Sequence, residues 1–172
     1  MTTRTELGQV TALRASGFFS DMHTSHLKKL TAIAGRVEFA KGDTIYQEGD
    51  ENKTLFLIQE GEVVVEMKAP NGTYATVLVV GPGQLLGWSS LFPGQRKRAR
   101  ARVTKPVRAM TIDGERLNHL FLSDHQLEHV VMQRLIKLVG ERVYATRQQL
   151  LECCDDQSLA SFVFYRLIAD NG

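Results

Sequence analysis

No apolar run in the 172 residues approaches the ~20 that a membrane-spanning helix needs. The opening Met1–Thr2–Thr3–Arg4 also lacks the apolar core of a secretory signal. Cysteine is scarce. The two present, Cys153 and Cys154, are adjacent, where a disulfide is strained and rare, so reduced cytoplasmic thiols are expected. Nothing positive supports a redox role for the pair. Excess charge is missing too: 21 Lys and Arg against 19 Asp and Glu leave a net +2, far from a polycation. Repeats and low-complexity segments are absent, and no P-loop, GxGxxG or Ser-His-Asp arrangement is legible. The five histidines (His23, His26, His119, His125 and His129) all fall on predicted helices or their edges. His125 and His129 have the i, i+4 spacing that can hold a metal, but no cysteine or third histidine completes a site. A cupin-like metalloenzyme is therefore disfavoured. What remains has the make-up of an ordinary globular chain, 43% hydrophobic and 23% charged, long enough for one domain with or without a C-terminal appendage.

Three zones are present. In residues 1–35, Leu7, Val10 and Leu13, then Phe18 and Phe19, then Leu27, Leu30 and Ile33 follow a helical stripe, with Asp21 as the expected start of a second helix. Residues 36–113 read as short β-branched strands: Val37–Phe39, Thr44–Tyr46, Leu55–Ile58, Val63–Met67, Tyr74–Val80, Arg98–Thr104 and Val107–Ile112. Turns at Lys41–Gly42–Asp43, Glu48–Gly49–Asp50, Asn71–Gly72 and Gly81–Pro82–Gly83 separate them, and Asn71–Gly72 is a strong hairpin signal. Many short strands at even spacing favour an antiparallel barrel or jelly roll over a parallel sheet. Residues 114–152 turn helical again, continuously from Asp124 for about seven turns. Met132, Ile136, Val139, Val143, Thr146 and Leu150 form a coiled-coil-like seam, while Leu127, Val131, Leu135 and Leu138 form a second stripe. One stripe suits a barrel and the other a partner helix, so a homodimer through 124–152 is expected. Residues 153–172 read as a hinge and a short amphipathic helix.

The stretch Lys41–Gly42–Asp43–Thr44–Ile45–Tyr46–Gln47–Glu48–Gly49–Asp50, running on through Leu55–Phe56–Leu57–Ile58–Gln59–Glu60–Gly61–Glu62–Val63, resembles the glycine framework of the cyclic-nucleotide-binding domain. That family includes the catabolite activator/Fnr-like regulators and kinase regulatory subunits. The resemblance covers most of residues 14–152. It implies an α+β, mainly β fold: an antiparallel jelly-roll barrel with N-terminal helices and a long C-terminal dimerisation helix. It also implies a non-catalytic regulatory sensor whose ligand is a cyclic nucleotide, cAMP or cGMP. Framework glycines report fold and not ligand.

Ligand chemistry in this family sits in a phosphate-binding cassette, here within residues 83–99. Its usual form is Gly-Glu-x-Ala or Gly-Glu-x-Gly, a short loop, then Arg-Ser/Thr-Ala. The glutamate takes the ribose 2′-hydroxyl and the arginine neutralises the cyclic phosphate. The matching stretch is Gly87–Trp88–Ser89–Ser90–Leu91–Phe92–Pro93–Gly94–Gln95–Arg96–Lys97–Arg98–Ala99. Gly87, Trp88, Ser89, Ser90, Lys97, Arg98 and Ala99 are therefore the candidate ligand residues, with Trp88 at the glutamate position and Lys97 at the arginine position. Period-two alternation puts Lys97, Ala99, Ala101 and Val103 inside the barrel and Arg98, Arg100 and Arg102 on a solvated outer face. A lysine pairs with phosphate as a point charge, without the bidentate fork; Arg96 and Arg98 flank it as substitutes. Trp88 offers one N–H donor and no acceptor. Two readings stay open: a retuned pocket in which Trp88 stacks on a ligand, or a pocket filled by Trp88 that binds no nucleotide. Thr146 aligns with a position that in the activators reaches the base across the dimer.

Two alternatives come from other classes. One is a ligand-less dimerisation or interaction module on the same fold. The other is the sensor half of a DNA-binding regulator, whose helix-turn-helix this stretch lacks; the chain alone is not expected to bind DNA or a membrane. An unidentified protein partner is expected in either case.

Overall fold

A computed structural model describes residues 4–153 apart from Asn52 and Pro93. Two helices lead in: α1 (Arg4–Arg14) and α2 (Thr24–Ile33). Six strands follow, β1 (Ala34–Phe39), β2 (Thr44–Tyr46), β3 (Thr54–Lys68), β4 (Tyr74–Val80), β5 (Leu85–Leu86) and β6 (Arg100–Asp113). Two helices complete the described chain, α3 (Gly114–Ser123) and α4 (His125–Cys153). The chain divides into two compact units, Met1–Gln133 and Arg134–Gly172.

In the first unit the strands form one antiparallel sheet, ordered β1-β6-β3-β4, with β2 on β6 and β5 on β3. The seven strand runs read from the sequence are present, joined differently, and the Arg98–Thr104 run begins at Arg100. Leu55–Ile58 and Val63–Met67 are two halves of β3, and the two arginine- and valine-led runs merge into β6. The β3–β6 register shifts between Ile58 and Val63, where the paired strands bend around the barrel. Gly61 makes the bend. Its φ is +89°, and a Cβ there would lie 2.0 Å from the Pro106 carbonyl oxygen, so only glycine fits. Leu85–Leu86 pairs with Phe56–Leu57, a short strand that the sequence pattern did not mark. At the other end of the sheet the hairpin closes at Asn71–Gly72: Ala69 N–H donates to Thr73 O, and the Asn71 carboxamide oxygen accepts from Thr73 N–H.

Alternate residues of these strands fill the barrel. Ile58, Val63, Val80, Ala101 and Val103 are fully buried, with Phe56, Leu86, Val107 and Ala109 around them. Leu13, Leu27, Leu30, Leu117, Phe121, Leu127 and Val131 from the helices, and Phe18, Phe19 and Met22 from the turn between α1 and α2, are also buried. The second helix begins at Thr24, not at Asp21. Burial of Met22 explains the delay: a turn carries Phe18, Phe19 and Met22 into the core before the helix can start. Asp113 caps α3 by accepting from Arg116 N–H, and Asp124 caps α4 by accepting from Leu127 N–H. Asp124 also takes a 2.7 Å bond from Lys29, which holds its carboxyl below the usual range.

The described part of the second unit is the body of α4. Ile136, Val143, Tyr144, Leu150 and Leu151 are exposed along it. Among the described residues no helix is long and apolar enough to cross a membrane. Of the hinge and terminal helix read over 153–172, Cys153 ends α4, and residues 154–172 lie outside the described residues.

Candidate functional site

Gly87 opens the cassette with φ +81°, a left-handed turn that leads into a single 3₁₀ turn, Trp88–Leu91. Ser90 N–H donates to Gly87 O and Phe92 N–H to Ser89 O, which closes the turn. The descending chain is held by backbone pairing to the Glu48–Gly49–Asp50 turn: Gly49 N–H donates to Lys97 O at 2.7 Å and Lys97 N–H to Asp50 O at 3.0 Å. Those two bonds set which way each cation points.

Lys97 points inward and is only 6% exposed. Its Nζ donates to Ser89 Oγ at 2.7 Å and lies 4.8 Å from the centre of the Tyr46 ring. Among the described residues no carboxylate pairs with it. Burial without a counter-charge pushes its pKa down to about 8. The structure therefore brings Gly87, Ser89 and Lys97 together at the barrel mouth, with Ala99 half-buried against the barrel core below. Arg98 is exposed and pairs with none of the described residues. Arg96 turns away to Gly49 O and, at 3.4 Å, to Glu51. Trp88 is half-buried, its ring edge-on to Phe92 at 6.2 Å. Ser90 does not bond Lys97, and its buried Oγ has no hydrogen-bond partner among the described residues. Thr146 is on α4, where its hydroxyl donates back to Arg142 O.

Arg100 and Arg102 need a correction. They do alternate outward, but neither is simply solvated. Both grip Glu66, which is 5% exposed: Arg100 Nε donates at 2.8 Å and Arg102 Nη2 at 2.9 Å. Arg100 also stacks on Tyr74, 3.3 Å from the ring centre. Arg102, then Arg100, hold the Glu66 carboxyl below its usual range against the cost of burial. The sequence hid this cluster because Glu66 is on β3, set against β6 only by the sheet register (Glu66↔Arg100, Val64↔Arg102), and Tyr74 is on β4, which pairs with the far edge of β3. The five-cation run thus divides by role: Lys97 inside, Arg100 and Arg102 locking the outer face, Arg96 and Arg98 at the surface.

Comparison with known proteins agrees with this architecture. The model of the cyclic nucleotide-binding domain matches residues 36–124. A CRP-like cAMP-activated global transcriptional regulator of Mycobacterium tuberculosis is 27% identical over 141 residues, 81% of this chain and 61% of the regulator. The chain thus spans under two thirds of the curated relative's length. A cyclic nucleotide-binding protein of Geobacter metallireducens is 31% identical and superposes with a TM-score of 0.68 over 77% of this chain and 96% of that one. A cyclic nucleotide-binding domain of Methylobacillus flagellatus, 22% identical, shares the fold with a TM-score of 0.76 over 88% of this chain and 85% of its own. The chain belongs to the cyclic nucleotide-binding domain family.

Proposed function

We propose that this chain is a non-catalytic, cytoplasmic regulatory sensor whose barrel receives an anionic ligand, a cyclic nucleotide such as cAMP or cGMP or a related phosphate, on Lys97. The observation that carries the reading is the lysine itself. An ammonium this deeply buried, held by one hydroxyl and an aromatic face, leaves its charge uncompensated until an anion arrives. Ser89, whose Oγ accepts from Lys97, keeps its own hydroxyl hydrogen as a further donor beside it. Residues 83–99 act as the cassette within the 36–113 barrel, behind helices 1–35 and ahead of 114–152, with 153–172 as a connection to a partner. The exposed stripe Ile136, Val143 and Leu150 on a 29-residue helix supports a homodimer through α4. Ligand entry would shift the helices only by preferring one of two arrangements. A relative that is a transcriptional regulator, and longer than this chain, supports the sensor half of such a regulator as the setting.

A second reading rests on Trp88. At the family's ribose-binding glutamate position it supplies no acceptor, and its packing on Phe92 suits a closed pocket that binds nothing. Thermal unfolding with and without millimolar cyclic AMP, cyclic GMP and cyclic dinucleotides separates the two. A ligand at 100 times its dissociation constant stabilises by about 2.7 kcal/mol, a rise of roughly 5–10 °C for a chain of this size. A flat panel would sink the sensor reading and leave the dimerisation module.

A further inference from the structure

The barrel wall beside Lys97 is apolar along a continuous row. Register sets Tyr46 against Ala101, Ala101 against Val65 and Val65 against Leu78, one row across β2, β6, β3 and β4. All four pack in or against the barrel core. Ala101 and Val65 are buried, whereas Tyr46 and Leu78 at the two ends are half-buried. The row spans three strand spacings, roughly 14 Å. Met67, two residues beyond Val65 and by alternation on the side opposite to Glu66, carries the apolar lining outward and is 46% exposed. The Tyr46 hydroxyl is the one oxygen that the side chains of this row offer.

Two polar groups stand at its β2–β6 end. Lys97 Nζ lies 4.8 Å from the centre of the Tyr46 ring and donates to Ser89 Oγ at 2.7 Å. Ser89 and Tyr46 are half-buried, so solvent reaches both flanks of the ammonium. Of the lysines, arginines, aspartates and glutamates among the described residues, only Glu66 and Lys97 are buried, and Glu66 has its two arginines. Lys97 thus adds one positive charge to an apolar wall. One negative charge balances it, and a second would be buried without a partner. A sugar's hydroxyls find no side-chain acceptor along the row besides Tyr46, and none at Trp88.

We propose that this site takes a monocarboxylic acid with an apolar body, a class of anion beyond the nucleotides. The inference rests on the reading of Lys97 as the receiver of an anion, and names the anion that its surroundings suit. One carboxylate oxygen meets the Lys97 ammonium, the other accepts the Ser89 hydroxyl hydrogen, and the hydrocarbon runs along the row from Tyr46 toward Leu78.

The test titrates the full chain with octanoate at pH 7, by calorimetry and by backbone amide spectra. Saturable binding is expected, with amide shifts centred on Tyr46, Ser89 and Leu78. Hexanoate, two methylenes shorter, is expected to bind about fifteenfold more weakly, at about fourfold per buried methylene. Octanamide keeps the chain and removes the charge, and is expected to bind at least about tenfold more weakly. Lys97→Met, which keeps the apolar row, is expected to lose octanoate binding. No saturable octanoate binding, octanamide as good as octanoate, undiminished affinity in Lys97→Met, or shifts centred away from Lys97 would each overturn the proposal. Binding of cyclic AMP without octanoate would end this inference and leave the sensor reading standing. Octanoate binding beside a flat nucleotide panel would support the inference and end the nucleotide assignment, and if neither binds both fall.

Discussion

Replacing Lys97 by methionine, which keeps the length and removes the charge, is expected to stabilise the protein. The Lys97 pKa stands at about 8, against 10.5 for an ordinary lysine. At about 1.4 kcal/mol per pH unit, holding the buried ammonium costs about 3 kcal/mol at neutral pH. The sign follows from proton counts. Between about pH 8 and pH 10.5 the unfolded chain binds more protons at this site than the folded one, so wild-type stability rises through that window. Below it the cost is constant. Lys97→Met is thus expected to exceed wild type by up to about 3 kcal/mol at pH 7, or roughly 5–10 °C, less the lost bond to Ser89. The difference should vanish toward pH 10.5. Urea unfolding of both proteins across this pH range measures it. A variant less stable than wild type by a pH-independent amount would refute the idea that Lys97 is a strained, uncompensated cation. An anion that restores the ordinary lysine pKa must take up a proton as it binds. Its affinity should then fall about tenfold between about pH 7 and pH 9, as calorimetric titrations at the two values would show.

Other parts of the molecule make their own predictions. Glu66→Gln breaks the grip of two arginines that are only partly solvated, and should cost about 2–3 kcal/mol in denaturant unfolding. Because the Glu66 pKa is lowered, its contribution is present above the ordinary value of 4.5 and is lost as pH falls through the folded value; the variant should lack that acid-induced loss. Gly61→Ala puts a side chain at φ +89° against the Pro106 carbonyl, and should cost at least about 2 kcal/mol or prevent folding. Equal stability to wild type would show that the bend can relax. Val143→Glu places a charge on the exposed stripe of α4, and sedimentation velocity should find a dimer dissociated; an unchanged sedimentation coefficient at equal concentration would count against dimerisation through this face.

The sequence by itself determined the turns, the strand alternation and the helical zones, because each depends on near neighbours. Asn71–Gly72 turns as the dipeptide predicts, Thr44–Tyr46 and Tyr74–Val80 keep their bounds, and α4 starts just after Asp124. Gly42, Gly49 and Gly61 all take positive φ. The inward turn of Lys97 was legible from the same alternation: it is two, four and six residues ahead of Ala99, Ala101 and Val103, and it is buried although the strand itself begins only at Arg100. Tertiary structure decided what depends on distant partners. Joining of the runs into β3 and β6 rests on a bulge opposite Pro106, 45 positions from Gly61 and invisible to a local pattern. Arg100 and Arg102 look like a solvated face until the register sets Glu66 between them and Tyr74 beneath Arg100. Ser89 and Ser90 look alike in the chain; a 3₁₀ turn sends one hydroxyl to Lys97 and leaves the other buried without a partner among the described residues. Strand and turn preferences are properties of a residue and its neighbours, whereas charge compensation and clefts exist only once separate segments are brought together.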